Sequence, residues 1–148
     1  MTGDMQNQLS RLRISVITEA SPEGFELVRY LQRLRTTPKQ IWPMPELIGD
    51  GADLVFCDYA RDLSKRLAWA PGEAKAALIV LLPQGGQFNL REVAAALPDS
   101  VLYRPYFRHA IDVSIALALD HFGYARRQRQ RIARLEENIR ALRDVEKA

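Results

Sequence analysis

Apolar residues fall along this chain in short uninterrupted runs, separated by stretches where they recur every three or four positions. The runs "LRISVIT" (12–18), "QIW" (40–42), "DLVFC" (53–57), "AALIVLL" (76–82) and "SVLY" (100–103) read as short strands, the most apolar of them, "AALIVLL", as expected of a strand buried on both faces. Between them the period is helical. Ser21-Pro22-Glu23 is a helix start, with Ser21 as N-cap and Pro22 in the first turn, followed by Phe25, Val28, Leu31 and Leu34. A second helix is predicted from Arg61 to Ala70, with Leu63 and Leu67 inward and Pro71-Gly72 as its stop. Asn89 caps a third through Leu97, with Glu92 in capping-box position, and from Phe107 the pattern stays helical to the end. Strands alternating with helices imply an α/β fold, a five-stranded parallel sheet wound on both faces.

The bulk numbers narrow the class. At 148 residues, 47% hydrophobic and 26% charged, the chain can bury one sizeable core. It holds no apolar run of the ~18 residues a membrane helix needs, and "MTGDMQNQLSRLR" offers no export signal. With the lone Cys57, this places the expected site of action in the cytoplasm, away from membranes. The net charge of +3 is uneven: residues 125–148 carry eight Arg or Lys against four acids, and residues 1–124 carry 13 against 14.

Functional groups in such sheets collect at the carboxyl ends of the strands. Here those ends are Thr18-Glu19, Asp58, Leu82 and Arg104-Pro105. Over residues 11–124 this set resembles a two-component receiver domain of flavodoxin-like fold. That family carries an acidic pair, a phosphorylatable Asp, a hydroxyl residue and Lys-Pro at these places. By that resemblance Asp58 is the acceptor-like residue, Thr18-Glu19 replaces the acidic pair, Leu82 the hydroxyl and Arg104 the Lys, while Val101 stands for the aromatic switch residue. The stretch "QIWPMPELIGDGADLVFCD", running into a long helix with an Arg-rich start, is more closely similar to the pseudo-receiver antiterminators of the AmiR type. The resemblance implies a full-length protein that binds leader RNA through an ANTAR module. "LRDVEKA" (142–148) looks like the approach to that module, so the chain is expected to stop where it begins.

Three readings of Asp58 stand at this stage: a strand-end acid paired with Arg104, a regulated phosphoacceptor, or a metal ligand. The degenerate set favours the first, because Mg²⁺ generally takes more than one carboxylate and Arg is not a Lys point charge. Other chemistry is thin. His109 and His121 lack zinc-ligand partners, Gly85-Gly86 lacks the P-loop Lys, and Cys57 reads as a buried strand hydrophobe. Trp42 and Trp69 read as packing residues, and no nucleophile elbow appears. No metal, cofactor or enzymatic activity is expected, and a small α/β enzyme or nucleotide binder is the least supported class.

Heptads place Ile111, Ala118, Ala125, Ile132, Ile139 and Glu146 at a, and Ser114, His121, Gln128, Leu135 and Leu142 at d. In the first half the apolar companions are Ile115 and Phe122 at e, a stripe suited to a helix on its own sheet. From Ile132 the stripe becomes Ile132, Leu135, Ile139 and Leu142, which suits a parallel two-stranded coiled coil over residues 125–148. The expected protein is a homodimeric regulatory module of a transcription antitermination regulator. Its control would come from contact with a periplasmic-binding-like ligand sensor, not from phosphorylation. Trp42, Pro43 and Met44, after an edge strand, are the candidate partner contact. The alternative is a phosphorylation-dependent response regulator receiver using Asp58.

Overall fold

The computed structural model describes residues 3–147. Met1, Thr2 and Ala148 lie outside them; of the expected approach to a C-terminal module, residues 142–148, all but the last are described, as helix. The elements run α1 (Gly3–Ser10), β1 (Ile14–Ile17), α2 (Pro22–Arg33), β2 (Lys39–Ile41), β3 (Leu54–Asp58), α3 (Leu63–Arg66), β4 (Ala77–Leu82), α4 (Leu90–Ala95), β5 (Ser100–Tyr103) and α5 (Arg108–Lys147). All pairings are parallel and the order is β2-β1-β3-β4-β5, the flavodoxin-like arrangement. This is the doubly wound sheet that the apolar runs predicted.

Alternation along the strands splits the core in two. Leu54 and Phe56 of β3 face α1, α2 and α5, joining Leu9, Leu27, Leu31, Ile111 and Ile115. Val55 and Cys57 face the other way, onto Leu63, Val93 and Ala96. Every residue of β4 is buried, which is why that run is the most apolar of the five. Each Leu or Phe fully buried in these layers contributes about 1.5–3 kcal/mol.

Several helices depart from the pattern. Ser21 does cap α2, its Oγ accepting from Gly24 N at 3.1 Å. Leu31 and Leu34 are buried as the spacing predicts and Val28 packs against them, but Phe25 points out at 48% exposure, and Gly24 and Leu27 complete the inward face. The expected helix over 61–70 shrinks to four residues. Fully buried Ile48 needs partners for its backbone, and it finds them there: Ile48 N donates to Arg66 O at 2.7 Å, and Ile48 O accepts from Ala68 N at 2.9 Å. That bridge pulls Leu67 into an extended conformation. Helix α4 ends at Ala95, with Leu97 at φ 50° and exposed. Its capping box is also modified, since the Tyr59 hydroxyl accepts from Asn89 N at 3.0 Å and donates to the Glu92 carboxylate. Helix α1 was not foreseen; Leu9 anchors it, fully buried.

Helix α5 spans 40 residues, about 60 Å at 1.5 Å per residue. Ile111, Ile115 and Ala118 bury its first part, with Ser114 also inside, its hydroxyl on Ile111 O and its carbonyl accepting from Ser100 Oγ. His121 Nδ1 lies 2.6 Å from Asp99 Oδ1, and Asp99 Oδ2 accepts from Leu78 N at 2.7 Å, tying the helix to the start of β4. Arg129 makes a last tie, donating to Gly72 O and Ala74 O at 2.7 and 3.0 Å. From residue 130 to residue 146 every position is exposed. No described helix is long and apolar enough to cross a membrane.

Candidate functional site

Register brings the carboxyl-edge residues together. Ile17 pairs with Cys57, so the next residues, Thr18 and Asp58, emerge side by side. Thr18 is fully buried, and its hydroxyl lies 2.9 and 3.0 Å from the two Asp58 oxygens. Glu19 contributes its backbone, the N–H donating to Asp58 Oδ2 at 3.1 Å, while its side chain is exposed. Arg104 Nη2 completes the set, 3.4 Å from Asp58 Oδ1. Leu82 faces the core on the α3–α4 side.

Asp58 is therefore an acid ringed by donors, its side chain 14% exposed. Burial pushes its pKa above the ordinary carboxylate value, against the opposing pull of the Glu19 amide, the Thr18 hydroxyl and Arg104. Arg104 is itself held from the other side. Its Nε donates to the Tyr106 hydroxyl at 2.9 Å and lies 3.7 Å from Glu23 Oε2. Burial lifts Tyr106 to about 12, so that hydroxyl stays protonated. A Mg²⁺ does not fit this donor set. It needs oxygen ligands, generally more than one of them carboxylate, and here one carboxylate meets two neutral donors and a cation. Among the described residues no group of three or more His, Cys, Asp or Glu could hold a metal ion.

Two other expected sites lie elsewhere. Trp42 follows edge strand β2 and is 46% exposed, with Pro43 exposed and Met44 packed on the second core layer. Ile132, Leu135, Ile139 and Leu142 are each at least half exposed on the free part of α5.

The family described as "AmiR, N-terminal" matches residues 12–118, more than two thirds of the chain. The chain belongs to that family. None of the curated proteins compared with the chain matches it. As an AmiR N-terminal domain it is a member of a family of regulatory domains, and the match ends inside α5, before the Arg-rich segment.

Within this AmiR-type domain, the lesser candidates resolve by packing. Cys57 is fully buried, and burial raises its thiol further above neutrality, which keeps it un-ionised. Gly85 and Gly86 form a turn with φ of 82° and 72°, a conformation glycine takes without strain. Trp69 packs on the second core layer, over Gly49. Two participants were missed: Tyr106 and Glu23, which hold Arg104 toward Asp58. "YRPYF" put an aromatic hydroxyl two residues from Arg104, but only the fold brings Glu23 there from α2.

Proposed function

We propose that this chain is the regulatory and dimerisation module of a transcription antitermination regulator whose full-length form binds leader RNA. The observation that carries the reading is the bare apolar stripe Ile132, Leu135, Ile139 and Leu142 on a helix that has left its domain. An exposed helix with β-branched residues at a and Leu at d is stabilised by a second copy. Family membership supports the regulatory role. Control comes from protein contact and not from phosphorylation, a reading supported by the donor ring around Asp58 and by the loss of the hydroxyl at Leu82. The exposed Trp42-Pro43 turn beside Met44 is the surface offered to a ligand-sensing partner, of periplasmic-binding type by the family resemblance.

Sedimentation velocity of residues 1–148 tests the core of this. The parent chain is expected to be a dimer at micromolar concentration, and the Leu135→Lys, Ile139→Lys double variant a monomer with unchanged sheet content. A parent chain that sediments as a monomer refutes the reading.

A further inference from the structure

Away from the Asp58 ring, a cavity of about 180 Å³ opens between α3, the loop after it, the end of α4 and α5. Its wall is mainly apolar, built from Leu67, Trp69, Pro71, Leu97, Phe122 and Ala125. An apolar cavity of about 150 Å³ already takes up benzene. The space therefore suits one six-membered ring with a short substituent. Leu97 stands on this wall at φ 50°, a conformation unfavourable for leucine, with its side chain more than half exposed. Three ionisable side chains line the same cavity: Asp99, His121 and Arg129. Asp99, only 6% exposed, is answered from within the fold. Its Oδ2 accepts from Leu78 N, and its Oδ1 lies 2.6 Å from His121 Nδ1. Arg129 differs. Of its five N–H groups it commits two, to the Gly72 and Ala74 carbonyls, and three remain.

We propose that this cavity binds a small aryl or alkyl monocarboxylate, its apolar part against Trp69 and Phe122 and its carboxylate on Arg129. A guanidinium with N–H groups to spare at the edge of an apolar cavity matches a carboxylate, which it can hold through two parallel hydrogen bonds. The surrounding charge has the same sense. Between residues 121 and 131, α5 carries Arg126, Arg127, Arg129 and Arg131 and no acid, while Glu73 and Lys75 in the facing loop cancel. Asp99 does not oppose this, since its charge is buried and both its oxygens are engaged. A cavity that is mostly apolar with a few convergent polar groups is the usual form of a small-molecule site. The proposal is independent of the coiled-coil reading. It lies where α5 makes its last tie to the domain, so an occupant touches the α3 loop, α4 and α5 together. Binding there favours the arrangement in which Arg129 stays docked.

Benzoate is the probe, with benzamide as its neutral isostere, on residues 1–148. Titration calorimetry is expected to give benzoate a dissociation constant of about 1 mM or tighter, and benzamide one at least about tenfold weaker. Trp69 emission, read in a Trp42→Phe background, should change as benzoate is added. Two variants locate the site, with circular dichroism to confirm the fold. Ala125→Leu fills the cavity from α5 and is expected to weaken benzoate by about tenfold or more, while Arg129→Met brings benzoate down to the level of benzamide. Equal affinities of the parent chain for benzoate and benzamide would overturn the proposal, because Arg129 would then not be reading a charge. Benzoate affinity unchanged in folded Ala125→Leu would put the acid elsewhere and overturn it too. So would the lack of both heat and a Trp69 response at about 10 mM benzoate.

Discussion

The Thr18 hydroxyl sits between the two carboxylate oxygens of Asp58, 2.9 Å from one and 3.0 Å from the other. In the receiver resemblance an acid occupies the Thr18 position. Here it is a neutral donor, fully buried, turned onto the acid it would have helped to charge with metal. The pocket has become a hydrogen-bonded corner. Acetyl phosphate with Mg²⁺ is accordingly expected to leave the intact mass of the protein unchanged, and a phosphoryl adduct lost in Asp58→Asn would overturn this.

Stability against pH should carry the mark of the same corner. Burial holds Asp58 above its ordinary pKa, so between the unfolded and folded values the native state binds more protons. Stability contributed by this group is present below the unfolded pKa and is lost as pH rises through the folded one. Asp99, also raised by burial, adds to the same fall. Asp58→Asn cannot ionise and drops its share. Urea unfolding between about pH 4 and 7 should then show the variant gaining on the parent as pH rises. A difference that moves the other way would mean that the Thr18, Glu19 and Arg104 contacts outweigh burial.

Gly49 and Trp69 supply a packing prediction. A Cβ on Gly49 would lie 2.6 Å from the Trp69 ring, at a φ of +86°. The left-handed backbone alone costs a non-glycine residue about 1–2 kcal/mol, and the contact adds to it. Gly49→Ala should therefore lower unfolding stability by more than about 1 kcal/mol, measured by denaturant titration. Retained stability would mean that the loop over Trp69 shifts freely.

Trp42 should behave oppositely. Because its ring is half exposed, Trp42→Ala is expected to change unfolding stability by no more than about 0.5 kcal/mol. A larger loss would show that the ring supports the core and is not held for a partner.

Basic residues on α5 divide into two kinds. Arg129 is committed to the Gly72 and Ala74 carbonyls, whereas Arg127, two residues before it, and Arg134, past this last tie, are exposed. RNA binding by residues 1–148 is expected to be weak and salt-sensitive, since free arginines act through counterion release. Replacing Arg127 and Arg134 by Ala should flatten the log K against log salt slope by roughly 1.4 for single-stranded RNA. Salt-resistant, hairpin-selective binding would place an RNA-reading surface inside this domain.

Much of the architecture was legible because the strands are buried on both faces. "DLVFC" and "AALIVLL" cannot be anything but interior, and the parallel, doubly wound sheet follows from their alternation with helices. Ser21-Pro22 marked its helix start through chemistry local to three residues. The Asp58–Arg104 pair was readable too, since strand ends in a parallel sheet converge whatever the details.

What escaped the linear pattern depends on partners distant along the chain. Helix α3 is cut short by the backbone needs of Ile48, and no periodicity in 61–70 could report that. The capping box at Asn89 is completed by the Tyr59 hydroxyl from another segment. The facing of helix α5 was legible by contrast: the stripe of Ile111, Ile115, Ala118 and Phe122 suits a sheet, and the sheet takes it. Local interactions specify elements within a few residues, while the distant backbone and side-chain partners that cut α3 short and complete the cap of α4 are fixed only by tertiary packing.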